Sequence, residues 1–249
     1  MSRALCLVLL WCACVSAQTA AVGLYNEANS HYRNGDFASA QRAYMQVVDS
    51  GVRDARLFYN LGNAHFKLQH LGESILWYER AYRLDPRDED IAANLLFANQ
   101  VKVDRDEEEK GNVVTFFVID AFFFPTLSEL TLLFGVGWFG LFALGAWRLL
   151  NRSAGGSLWL VTILVCGGVA AAGGSWLGMR SYQQAHAVSA IVVAEMVTAR
   201  SGPDATQTEV FSMHEGTKVS VVRGEGGWVL VRLQNGLGGW VQTEQVDII

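Results

Sequence analysis

Cysteine is scarce where it would matter. Of the four in the 249-residue chain, Cys6, Cys12 and Cys14 lie within the first fourteen residues and Cys166 lies in a long apolar run. That leaves nothing for a disulfide framework or a zinc site, and Cys166 reads as a small packing residue. A basic excess is missing too. The net charge of −5 gives no electrostatic footprint for nucleic acid. No nucleophile–base pairing, phosphate-binding glycine loop or His/carboxylate metal spacing is present. The run Gly224-Glu225-Gly226-Gly227 precedes a strand rather than opening a helix, so it is a turn. Neither a catalytic residue nor a metal or cofactor is therefore expected.

What the chain has in abundance is hydrophobicity, 51% of its residues, enough to place part of it in membrane spans. The first segment, 1–17, reads as an export signal: Arg3, an apolar stretch from Ala4 to Cys14, and small residues Val15-Ser16-Ala17 before Gln18. A lipoprotein signal acylated at Cys14 is the rival reading. Leu130 to Trp147 and Ser157 to Met179 carry no charge, so two transmembrane helices are expected at 127–150 and 157–179. The loop between them, 151–156, carries Arg152 beside Arg148 and no acid, which marks it as cytoplasmic. Both flanking domains then lie on the exported, periplasmic side of a bacterial inner membrane. On the second span Ala170, Gly174 and Gly178 share a face, for packing against the first span or against another subunit.

The region 21–103 repeats itself after 34 residues: Asn29 answers to Asn63, His31 to His65, Tyr32 to Phe66, Phe37 to Leu71, Ala40 to Ser74 and Tyr44 to Tyr78. This period marks stacked helical hairpins with a concave surface that usually holds a peptide or protein. Gly62 and Ser74 should let two helices approach, Tyr78 and Ala81 should fill the gap, and Pro86 should end a helix. Asp88 can cap a closing helix with Ile91, Leu95 and Leu96 as its apolar stripe. His31 and His65 share one repeat position, which argues for packing over a metal pair. The concave face should carry Tyr25, Asn29, Tyr32 and Arg33 from one helix, then Tyr59, Asn60, Asn63, Phe66 and Lys67 from the next. An acidic linker (104–112) and a phenylalanine-rich stretch (113–126) follow; the latter is either interfacial or an extension of the first span.

The phrase Tyr59-Asn60-Leu61-Gly62-Asn63-Ala64, with Phe58, Phe66, Ser74, Tyr78, Ala81 and Pro86, resembles the tetratricopeptide repeat. Some such domains clamp a peptide carboxylate with two Asn and several cations. Asn29 and Asn60 fall at the Asn sites here, but Tyr25, Asp90 and Asn94 stand at the cation sites, so a general peptide groove is the expectation. From 188 to 249 short alternating stretches separated by turns suggest a small barrel, with strands at Ile191–Ala194, Glu209–Phe211, Lys218–Val222, Trp228–Leu233 and Gly238–Val241. Thr198 to Pro203, His214 to Thr217, Gly227 to Val231 and Gly238 to Val241 resemble the bacterial SH3-like domain. Its Trp228 and Trp240 are either core or, beside Arg200, a candidate ligand shelf for peptidoglycan.

The order of modules, with Trp77-Tyr78-Glu79-Arg80-Ala81 and Ile91 to Leu95, resembles the BatE-type proteins of the Bacteroides aerotolerance group. That resemblance implies a non-catalytic scaffold partnering von Willebrand-type membrane proteins and a MoxR-type ATPase. The expected fold class is a multidomain membrane protein: all-α repeats, two transmembrane helices and a small all-β SH3-like barrel. The alternative function is a cell-envelope anchor or sensor that binds peptidoglycan through the barrel.

Overall fold

A computed structural model describes residues 19–104, 121–122, 124–151, 156–186 and 188–249. The export signal with its three cysteines, nearly all of the acidic linker, most of the 113–126 stretch and the center of the 151–156 loop lie outside the described residues. The chain forms two compact units, one built from both ends and one from the intervening 107–187.

In the first unit, α1 (19–33), α2 (Phe37–Asp49), α3 (Ala55–Lys67) and α4 (Leu71–Leu84) form two hairpins, and α5 (Glu89–Val101) closes the stack. The caps are carboxylates. Asp36 accepts from Ser39 N, Asp54 from Arg56 N and Leu57 N, and Asp88 from Asp90 N and Ile91 N, satisfying first-turn donors that would otherwise be orphaned. Gly35 turns the chain between α1 and α2 with φ 79°. Its counterpart 34 residues on, Gln69, takes φ 65°, a left-handed conformation that strains a residue with a Cβ.

Helix-to-helix contact follows the expected size logic. A Cβ on Gly62 would stand 2.7 Å from the Tyr78 ring, and the buried Ser74 donates to Gly62 O at 2.9 Å. Tyr44, Leu57, Leu61, Tyr78 and Ala81 are fully enclosed. In α5 the buried residues are Ile91 and Ala98; Leu96, expected in the apolar stripe, is instead 61% exposed. It occupies the repeat position of Ala28 and Gly62, where a paired second helix would press, and α5 has no such partner among the described residues.

The barrel holds seven strands: β1 (Ser189–Val192), β2 (Met196–Arg200), β3 (Glu209–His214), β4 (Lys218–Glu225), β5 (Trp228–Arg232), β6 (Gly238–Gln242) and β7 (Val246–Ile248), in the order β3-β2-β6-β5-β4-β1-β7. Two of these were not expected. β2 covers Thr198 to Arg200, read from sequence as loop, and β7 is too short to show alternation. Val192, Val197, Val231 and Val241 make its core.

The barrel docks on α4 and α5, and differences between the two repeats lie at the dock. Where α2 has Ala38, Gln41 and Arg42, α4 has Gly72, Ile75 and Leu76. A Cβ on Gly72 would meet Val192 O at 2.8 Å, and Ile75 and Leu76 are buried in one cluster with Ile191 of β1. Where α2 is capped by Asp36, α4 has His70, which makes no side-chain cap; Glu215 of the barrel supplies the carboxylate instead, accepting from Gly72 N at 2.8 Å. Lys218 Nζ binds both oxygens of Glu79 at 2.8 and 2.9 Å, and Arg80 pairs with Asp247 at 2.8 Å. Past α5, Asp104 accepts from His214 N at 2.6 Å and Thr217 Oγ1 at 2.9 Å, and lies 3.0 Å from His214 Nδ1.

The second unit contains α6 (Leu127–Leu150) and α7 (Ser157–His186), both long and apolar enough to cross a membrane. Thr126 and Glu129 form a capping box at the start of α6. The pair packs through small residues. A Cβ on Gly137 would lie 2.6 Å from Ala170 N, and one on Gly174 3.1 Å from the Phe134 ring. Of the three small residues on α7, Ala170 and Gly174 thus face α6, while a Cβ on Gly178 would meet nothing within 4 Å.

Candidate functional site: a groove with an asparagine–tyrosine ladder

The first helix of each hairpin, together with α5, carries the residues that the repeat pattern assigns to the concave face. Tyr25, Asn29, Tyr32 and Arg33 stand on α1, and Tyr59, Asn60, Asn63, Phe66 and Lys67 on α3. The structure ties several of them into a ladder. Asn60 Nδ2 donates to Tyr25 Oη at 2.9 Å and to Asn29 Oδ1 at 3.3 Å. One repeat later, Asn94 Nδ2 donates to Tyr59 Oη at 3.0 Å and Asn63 Oδ1 at 2.9 Å. Each accepting Asn also receives a tyrosine from its own hairpin: Tyr44 Oη on Asn29 and Tyr78 Oη on Asn63, both at 2.6 Å. Burial raises the Tyr44 and Tyr78 hydroxyls above their usual range, so both act as donors.

This arrangement fixes what the groove can offer. Asn60 and Asn94 spend both amide hydrogens inside the ladder and keep a carbonyl oxygen; Asn29 and Asn63 spend the oxygen and keep an N–H₂ donor. The ladder thus holds all four amides in fixed orientations, two with a carbonyl oxygen unspent and two with an N–H₂ unspent. Such a set complements a peptide backbone. The sequence places Asn94 only at a cation site of a carboxylate clamp; the structure makes it the second rung. The signal was its spacing, 34 residues after Asn60.

Tyr32 leans on Phe37, Arg33 and Lys67 are exposed, and Phe66 meets Phe97 of α5 with ring centers 5.7 Å apart. The two histidines of the shared repeat position differ. His31 is half-exposed between Glu27 and Asp36 at 3.7 and 3.4 Å. His65 is buried with neither ring nitrogen bonded, and burial, with a smaller contribution from His70, lowers it to about 4. It is neutral in the folded protein at neutral pH. Among the described residues no group of three or more His, Cys, Asp or Glu could hold a metal ion. A cavity of about 640 Å³ opens beside the groove between α1, the end of α2 and the start of α3, lined by Val22, Tyr25, Val52 and Leu57.

In the barrel, Arg200 and Trp240 are cross-strand partners, and Trp228 lies diagonally from Trp240 on the same outer face, as its pairing with Gln242 dictates. The shelf is largely closed. Trp240 is 5% exposed, covered by the Arg223 guanidinium 5.2 Å from its ring center. Arg200 donates to Gln207 O at 2.8 Å and pairs with Glu209 at 3.2 Å. Only Trp228 stays half-open.

Residues 25–89 match the family model of the tetratricopeptide repeat, and residues 197–247 that of the bacterial SH3 domain. The chain thus carries repeats and a barrel of kinds that typically serve as interaction modules rather than enzymes. No curated protein matches it. Among solved structures it is similar to the first TPR of Spaghetti bound to an HSP90 peptide, with 28% identity and a TM-score of 0.31 over 32% of this chain and 64% of that one. It is also similar to yeast Tom70, with 13% identity and a TM-score of 0.32 over 69% of this chain and 27% of that one. The chain therefore spans less than two thirds of either structure's length.

Proposed function

We propose that the chain is a non-catalytic, membrane-anchored scaffold whose exported repeats bind a protein partner through an extended peptide segment. The observation that carries this reading is the ladder: Asn29, Asn60, Asn63 and Asn94 hold each other in place while leaving backbone-complementary donors and acceptors toward the groove. The peptide bound to the Spaghetti repeats is in keeping with it. The module order further suggests that the partner belongs to a Bat/MoxR-type envelope or stress-tolerance complex containing von Willebrand-type proteins.

The proposed topology has two crossings, at 127–150 and 157–179, after a signal at 1–17 that is removed or lipidated. The loop 151–156 is cytoplasmic, and the repeats (21–103) and barrel (188–249) lie outside. Connectivity supports an even count. Residues on both sides of the helical insertion fold into one compact unit, and one folded body cannot straddle a bilayer. Purification from native membranes tests the scaffold role: a specific protein should accompany the wild type and be lost from Asn63→Ala. Reporter fusions at residue 20 and after residue 249 test the topology, and activity in the cytosol at either point overturns it.

The second reading, peptidoglycan binding through the barrel, draws on the bacterial SH3 match and on Trp228, half-open beside Leu230. Sedimentation of the full chain with purified cell wall tests it. Loss of co-sedimentation in Trp228→Ala supports this reading; failure of the wild type to sediment refutes it.

A further inference from the structure

The concave face changes character along the stack, and the change occurs in three repeat-equivalent rows at once. Positions 25, 59 and 93 read Tyr, Tyr, Ala; positions 29, 63 and 97 read Asn, Asn, Phe; positions 33, 67 and 101 read Arg, Lys, Val. Phe97 is 53% exposed and Val101 49%, and Phe97 extends the ladder row while resting on Phe66. The outer helix of a stack is ordinarily polar toward water. The opposite end follows this rule more closely, since α1 shows Asn26, Glu27 and Ser30 and its one exposed large apolar residue, Val22, lines the cavity beside the groove; α5 does not follow it.

We infer that the groove takes an extended acidic peptide by its backbone over α1 and α3 and seats one large apolar side chain of the same peptide on Phe66, Phe97 and Val101. This rests on the peptide-binding reading above and adds the partner's chemistry and spacing. Continuity argues for a single occupant. The unspent donors of Asn29 and Asn63 point a bound backbone along the row in which Phe97 comes next. Stacked helices lie about 8–10 Å apart and an extended chain rises about 3.3 Å per residue. Contacts on successive helices therefore fall about three residues apart, and a heptapeptide spans all three. Arg33 and Lys67 flank the first two contacts, which sets the preference there for Asp or Glu; Val101 ends that preference over α5.

The test is selection of a displayed random heptapeptide library on the full chain in lipid nanodiscs, beside Phe97→Asn, which continues the ladder row, and Asn63→Ala. Phe97 is exposed, so its replacement leaves the core intact, and an unchanged thermal melt verifies this. The expected result is enrichment of peptides with Phe, Leu, Ile or Met about three residues from an acidic position. Replacing that apolar residue by Ala should cost about tenfold or more in affinity for the wild type and almost nothing for Phe97→Asn. Asn63→Ala should weaken all the peptides alike. Enrichment without an apolar preference, or a preference that survives Phe97→Asn, overturns this inference and leaves the groove reading standing. No enrichment at all overturns both. A concentration-dependent dimer abolished by Phe97→Asn assigns the apolar end to a second copy of the chain and overturns the inference.

Discussion

Replacing Gly72 by alanine gives opposite signs with and without a docked barrel. Gly72 is the second residue of α4, and in a free helix an added methyl group stabilizes by up to about 1 kcal/mol. In the docked unit the new Cβ stands 2.8 Å from Val192 O, 3.1 Å from Val193 Cα and 3.1 Å from Glu215 Cβ. Two of these neighbors are backbone atoms of the barrel and cannot rotate aside, so the barrel must shift as a body. Overpacking of this kind costs about 1–3 kcal/mol, and the shift also stretches the bond from Gly72 N to Glu215. A net loss of about 1–2 kcal/mol lowers the melting temperature by about 2–8 °C for a unit of this size. Gly23→Ala is the control, because a Cβ there meets nothing within 4 Å, and it should raise the melting temperature slightly. Both variants are read by thermal unfolding of the full chain in detergent, with amide exchange at Gly72 as the local probe. A Gly72→Ala protein that melts at or above the wild type, as Gly23→Ala does, would refute the docked arrangement.

Other perturbations have equally definite signs. Gln69→Gly should stabilize by about 0.5–1 kcal/mol in denaturant titration, because glycine relieves the left-handed strain at φ 65°. Lys218→Ala should cost more than Glu79→Ala, about 1–2 kcal/mol, since it strands a carboxylate only 12% exposed whereas Lys218 itself is 37% exposed. Tyr78→Phe should cost about 1 kcal/mol and weaken peptide binding, because Asn63 Oδ1 loses one of its two donors. His65 folds with its pKa lowered from 6.5 to about 4, so the unfolded chain binds the extra proton. Its contribution is intact above pH 6.5 and falls by about 3 kcal/mol as the pH drops toward 4. Stability measured against pH should show this slope, and His65→Leu should flatten it. Asp104 adds loss at lower pH: burial works to raise its carboxyl, but the bonds from His214 and Thr217 outweigh that and hold it below the usual value.

The periodic parts of this architecture were open to reading from residues alone. Gly62, Ser74 and Tyr78 announce close helix packing because their sizes have to match, and two long uncharged runs announce two long apolar helices. The period also singled out Asn29, Asn60 and Asn63, which the structure bonds into the ladder. What escaped depends on comparison across distance. Ile75, Leu76 and Gly72 look like ordinary helix residues until set against Gln41, Arg42 and Ala38, and even then nothing local names β1 as the surface that covers them. β7 spans only three residues, so alternation cannot reveal it. The cover of Trp240 comes from Arg223, whose reach across the sheet depends on the irregular register between β4 and β5. Leu96 was placed in the core by helical spacing, but spacing cannot show that the second helix of its hairpin is missing.

The dock joins residues far apart in the chain, from Asp104 with His214 to Arg80 with Asp247, 167 positions on. During synthesis the helical hairpins can close early, since their contacts are local. Ile75 and Leu76 then stay bare while both apolar helices emerge, until the barrel has been made. In that interval the nascent protein presents an adhesive stripe on α4, which is covered only when β1 arrives and Glu215 reaches Gly72. Premature termination within the barrel should accordingly yield products that aggregate or are degraded, even with intact repeats and apolar helices.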